Sequence, residues 1–213
     1  MGIEFTDEKI INYSGLKLVN DILNKTDLKK RLNDIPHHGN SARKSEIIYT
    51  AIFLLSMGKI NFENINEFRN DESYKIITGF NNVVSEAGFR QNLDKIGKTI
   101  ENILLEENIK IIKNNDMKLT PYYKEYCPLD LDVTPMDNSN SNKEGVAWTY
   151  KKFMGYAPMM AYLGEEGYLI NTELRKGSQH CQLDTKEVLT DKRDEYFGTK
   201  EIEKTIEKNG EKK

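Results

Sequence analysis

The sequence is poor in the residues that usually betray a cofactor or a compartment. Its two cysteines, Cys127 and Cys181, lie far apart and form no CxxC pair, and its three histidines, His37, His38 and His180, fall at no zinc-ligand spacing. No zinc spacing is present; the two cysteines could meet as a disulfide, but two buried or idle thiols in a reducing cytosol are expected. No run approaches the roughly 18–20 apolar residues that cross a bilayer. The first residues carry acids and lack a basic start followed by an apolar stretch, so no secretory signal is expected. Charge of one sign is missing as well. With 31 basic and 34 acidic residues the formal net charge is −3, so no global basic field attracts nucleic acid. Any DNA contact has to come from local Lys/Arg clusters. These absences lead to the expectation of a soluble cytoplasmic protein with no membrane partner.

What is present is a patterned chain of 213 residues, 38% hydrophobic and 31% charged, long enough for one medium domain or two small ones. Residues 1–118 have helical character. Thr6 and Thr26 stand as N-caps before runs of helical period. Ser41 opens a stronger segment whose face is Ile47, Ile48, Ala51, Ile52, Leu54 and Leu55, and Gly58 ends it. A short helix is expected over 62–68. The longest helix should begin after Ser85, where Phe89, Leu93, Ile96, Ile100 and Ile103 keep to one stripe by spacings of four and three. That stripe is expected to be the core of a helix bundle.

At Pro121 the period changes. Residues 122–134 are extended in character. Asp130, Asp132 and Thr134 alternate with Leu129, Leu131 and Val133, so the acids share one face of a strand. Residues 136–145 are expected to be a loop. A second strand is expected over 156–163, a tight turn at Gly164-Glu165-Glu166-Gly167, and a third strand over 168–175, together an antiparallel meander. Asp184 and Glu187 resemble a capping box, and the Lys/Glu-rich remainder is expected to be a charged helical or disordered tail.

Two carboxylates on one strand face suit two-metal phosphoryl transfer, because hard cations take oxygen ligands and a strand holds those ligands rigidly. The same D-x-D spacing also describes a plain solvated strand face. The longer run decides how it is read. The acid-bearing strand LDLDVT, the Lys/Glu/Gly loop, GYAP, YLGEEGY and ELRKGSQH resemble the opening of the catalytic domain of bacterial insertion-sequence transposases of the DDE type. Upstream, PHHGNSARKSEIIYTAIFLLSMGK, NFENINEFRND and SEAGFRQNLD resemble that family's helical N-terminal part.

The resemblance implies an α+β chain. A helical, DNA-binding region would occupy residues 1–118, and the antiparallel three-strand start of a ribonuclease-H-like domain 119–182, leaving 183–213 as the tail. It implies Asp132 as the first catalytic acid and a ligand of Mg²⁺, with Asp130 as the alternative acid or second ligand. Double-stranded DNA of transposon terminal repeats is the implied partner. Arg43 and Lys44, Arg90, and the group Arg175, Lys176 and His180 are expected at DNA or at the site. Trp148 and Tyr150 either pack on the sheet or stack on a base. Nothing after Gln182 matches the family's second Asp or its Glu. The expectation is therefore a transposase fragment, catalytically inactive alone, that self-associates or pairs with full-length transposase. The competing expectation is a non-catalytic DNA-binding or inhibitory module.

Overall fold

The computed structural model describes residues 7, 11–37, 42–124 and 126–185. Thr6, His38 and Ser41 lie outside the described residues, as do Glu187 of the expected capping box and the whole of 186–213. The chain divides into two compact units, Met1–Asn115 and Asp116–Lys213. The architecture is α+β, a helical unit followed by small antiparallel sheets.

The helical unit runs through α1 (Ser14–Leu23), α2 (Leu28–Asp34), α3 (Lys44–Ser56), a 3₁₀ turn (Phe62–Asn64), α4 (Ile65–Arg69), α5 (Glu72–Thr78) and α6 (Glu86–Asn114). Local chemistry sets the ends. Ser85 caps α6 by accepting from the Gly88 N–H at 3.2 Å. Gly58 ends α3 with φ +70°, while the Lys59 N–H donates to the Leu54 carbonyl and the Gly58 N–H to that of Leu55, both at 2.9 Å. This left-handed stop satisfies carbonyls the helix would otherwise leave open. Thr26 acts one place earlier than a cap. Asp27 holds the cap position of α2, and the Thr26 hydroxyl accepts from the Leu28 N–H at 3.3 Å and donates to the Leu23 carbonyl at 2.6 Å.

Tyr49, Phe53, Phe68, Tyr74 and Phe80 are buried and form a chain of aromatic contacts. Three are edge-on (Tyr49–Phe53, Tyr49–Phe80 and Phe53–Tyr74), and Phe68 stacks on Tyr74 with ring centroids 4.5 Å apart. The Thr50 and Tyr74 hydroxyls meet at 2.7 Å, which settles one buried polar group. In the α6 stripe, Phe89, Ile96 and Ile100 are buried, and Leu93 and Ile103 are half-buried against the same core.

One carboxylate is also inside. Glu107 on α6 is 1% exposed and accepts from Arg31 Nη1, Lys110 Nζ and the Asp27 N–H, each at 2.8 Å. Burial pushes its carboxyl up, but the hydrogen bonds from Arg31, Lys110 and Asp27 together outweigh that and hold it below the usual range.

The sheet unit has two three-stranded antiparallel sheets. The first orders β1 (Leu129–Val133), β5 (Met159–Leu163) and β6 (Tyr168–Glu173), with Asp132 opposite Met160 and Met160 opposite Thr172. The second orders β2 (Met136–Asp137), β4 (Met154–Tyr156) and β3 (Ala147–Trp148). The expected meander is therefore present, with a small sheet inserted between its first two strands.

Three expectations are corrected. The described residues 122–124 and 126–128 are not in a strand, because Lys124 at φ +53° turns the chain and the Tyr122 N–H donates to the Tyr126 carbonyl at 3.0 Å. Residues 136–145 are not simply a loop, since β2 pairs with β4. The apolar run 156–163 is split at Pro158, whose carbonyl accepts from the Thr134 N–H at 3.0 Å, and its two parts serve different sheets. The β5–β6 turn is as expected, with Gly164 and Gly167 at φ +77° and +69° and the Gly167 N–H donating to the Gly164 carbonyl at 3.1 Å.

Candidate functional site

The alternation of β1 places Leu129, Leu131 and Val133 half-buried and leaves Asp130 and Asp132 exposed. Both acids are on the expected face, yet their surroundings differ. Asp132 lines a cleft of about 1040 Å³ with Trp148, Tyr150, Met159, Ser178 and His180, and Asp130 is not among its lining residues. The Asp132 Oδ2 accepts from the Thr134 hydroxyl at 3.1 Å, so Thr134 of the LDLDVT run orients that carboxylate. Across the opening, the Tyr150 hydroxyl donates to the Val133 carbonyl at 3.1 Å. His180 Nδ1 accepts from the Gln182 N–H at 3.3 Å, which in the neutral ring leaves the proton on Nε2.

The far wall of the cleft is the segment after β6, and two glycines bring it in. A Cβ on Gly177 would stand 2.3 Å from the carbonyl oxygens of Ala147 and Gly155, and one on Gly155 would stand 2.0 Å from that of Met136. No side chain fits at either place. Arg175 anchors the same wall from beneath. It is 2% exposed, its Nε donates to Glu173 Oε2 at 2.7 Å, and its Nη1 donates to the Cys181 carbonyl at 3.4 Å. Its guanidinium is thus turned inward, while Lys176 beside it is exposed. In the sequence both glycines fall just outside the expected strands 156–163 and 168–175, where they look like ordinary strand boundaries. The sequence carried no signal for the burial of Arg175.

The residues expected at DNA in the helical unit are placed as follows. Arg43 is exposed and Lys44 half-exposed at the start of α3, where the Glu46 carboxylate accepts from the Arg43 N–H at 3.1 Å. Arg90 is paired with Glu86 at 2.9 Å and lies over the Phe62 ring at 4.7 Å. A phosphate arriving there would have to displace Glu86.

The donor set can be tested against the metal pair implied above. Asp132 offers the hard oxygen donors a divalent cation takes. Among the described residues, however, no group of three or more His, Cys, Asp or Glu side chains converges, and Asp130 is not part of the cleft lining. The described residues do not fit a two-metal centre. Cys127 and Cys181 are both free thiols.

Among known families, the model described as "Transposase DDE domain group 1" matches residues 1–196. The searches of curated proteins and of solved structures each returned no match.

Proposed function

Since the chain belongs to the Transposase DDE domain group 1 family and its role is in DNA transposition, we propose that it binds transposon-end DNA and that Asp132 is the first acid of the family's catalytic set. The observation that carries this reading is the cleft: of the two acids on β1, Asp132 alone lines it. A strand-borne carboxylate in a cleft beside exposed aromatic and basic groups suits a DNA-processing site better than a solvated strand face does. Mg²⁺ is the cation that the oxygen donors of Asp132 would take. Asp130 is then a neighbouring acid that lowers the local potential.

Duplex DNA is the proposed partner. Lys176, exposed beside the cleft wall, and Arg43 with Lys44, at the start of α3, would meet backbone phosphates. Arg175 would act through the wall it anchors, and Arg90 is engaged elsewhere. The described residues offer one carboxylate in the cleft, which by itself leaves orientation and charge stabilisation both unmet. We therefore propose that these residues bind transposon ends, alone or paired with full-length transposase, and do not cut them.

The test uses purified protein with duplexes from the flanks of its own gene, read by gel shift across a salt series, and by nicking with Mg²⁺ or Mn²⁺. The expected result is salt-dependent binding that favours the flank sequences, with no nicking. Equal affinity for random duplex removes the specific reading. Metal-dependent nicking lost in Asp132→Asn overturns the claim of inactivity.

A further inference from the structure

The sheet unit keeps two large aromatic side chains in water next to a carboxylate. Trp148 is 60% exposed and Tyr150 62% exposed, and both line the cleft that contains Asp132. Neither is on a loose segment. Trp148 sits in β3 opposite Met154, and Tyr150 is tied by its hydroxyl to the carbonyl of Val133, the residue after Asp132. Packing against the sheet, the plain role for such side chains, is not what they do. Exposed aromatic surface of this size, held in place, forgoes burial that would stabilise the fold, and it marks a surface meant for a partner.

We propose that Trp148 and Tyr150 form a stacking platform for an unpaired nucleobase held beside Asp132. This rests on the transposition reading above and names the part of the DNA that enters the cleft. Charge decides between base and phosphate. Asp132 is the single carboxylate among the cleft's described lining residues, and with no cation bound it repels a phosphate but not a neutral base. Aromatic faces stack on any base, and the Ser178, Gln179 and Gln182 lining positions supply donors and acceptors for base edges. Lysines that flank these residues in the chain are placed for the backbone. Lys151 and Lys152 are exposed, with Lys151 Nζ 5.4 Å from the Tyr150 ring centroid, and Lys176 is exposed next to Gly177. A base inside an intact duplex cannot present its face, so the ligand is a single strand or an opened duplex end.

Trp148 is the only tryptophan in the chain, so its emission reports on this site alone. The whole protein is titrated with a short single-stranded oligonucleotide of mixed sequence, and separately with the same sequence as a blunt duplex. Tryptophan emission and the anisotropy of a dye on the DNA are followed together. Saturable quenching by the single strand, and little by the blunt duplex, is expected. Trp148→Ala should weaken single-strand binding by about 5- to 150-fold, the range supplied by stacking one base, and leave duplex binding unchanged. Tyr150→Phe, which keeps the ring and loses the hydroxyl, should retain most of the affinity. Single-strand binding without a change in emission, or at full strength in Trp148→Ala, overturns the platform. Absent single-strand binding with duplex binding intact overturns the platform alone, and loss of both removes the transposition reading too.

Discussion

The helical unit and the sheet unit treat their aromatic residues in opposite ways. In the first, Tyr49, Phe53, Phe68, Tyr74, Phe80 and Phe89 are all buried; in the second, Tyr122, Tyr123, Tyr126, Trp148 and Tyr150 are more than half exposed and Phe153, Tyr156, Tyr162 and Tyr168 only half-buried. The buried apolar side chains follow the same division. Among the described residues, only Ala157, Met159, Ala161 and Ile170 are buried hydrophobics in the sheet unit. A buried aromatic contributes its transfer energy and edge contacts to stability, whereas an exposed one leaves that energy available to a partner. Stability is therefore concentrated in the helices. The sheet unit is held by its ladders and close backbone contacts, and leaves several large aromatic side chains exposed.

The largest expected effect tests the interior of the helical unit. Phe53→Ala removes a side chain that touches Tyr49 and Tyr74, and it should cost about 3–5 kcal/mol. Peptide-resolved hydrogen exchange should show protection lost in α3 and α5 and kept in β5. An equal loss in β5 would break the contrast by making the two units one cooperative body. A smaller effect is expected from Gly155→Ala, which sets a methyl against the Met136 carbonyl. Displacing β2 should cost about 1–3 kcal/mol, with faster exchange confined to residues 136–156.

The smallest effect concerns the buried carboxylate of the helices. The folded Glu107 carboxyl titrates below its unfolded value of about 4.3 because hydrogen bonds from Arg31, Lys110 and Asp27 overcome the opposing effect of burial. Its contribution is fully present above the unfolded value and is lost as pH falls through the lowered folded one. Glu107→Gln should cost about 1–2 kcal/mol at neutral pH and nearly nothing in strong acid. Arg31 keeps Glu106 and Lys110 keeps Asp27 as partners, which limits the loss. Chemical denaturation across the acid range checks this, and an unchanged acid slope would count against it.

Much of the helical unit was legible because its signals are local. The Ser85 cap, the Gly58 stop and the four-three stripe of α6 each lie within a few residues of what they control. Helix α5 was not foreseen. Its cap, Asp71, accepts from the Tyr74 N–H at 2.9 Å, but seven residues hold too few turns to show a period. Strands β2 and β3 are two residues each, too short for any alternation. Alternation did place Asp130 and Asp132 on one face, yet it treats them alike. Only the fold brings Trp148, Tyr150 and His180 to the side of one of them. Arg175 shows the other limit, since a long cation next to Lys176 looks like surface until the chain folds it under the Cys181 carbonyl.

The two glycines of the cleft have a consequence for how this protein can change. Backbone meets backbone at Gly155 and Gly177, so the wall is closed without the help of the side chains that line it. Ser178 and Gln179 are therefore free to vary without loosening the wall, while Gly177 beside them and Gly155 on β4 are not. A mutational scan of this segment should show intolerance at Gly155 and Gly177 and latitude at the lining positions. Such a surface can be re-specified for a different ligand one side chain at a time, over a frame that stays put.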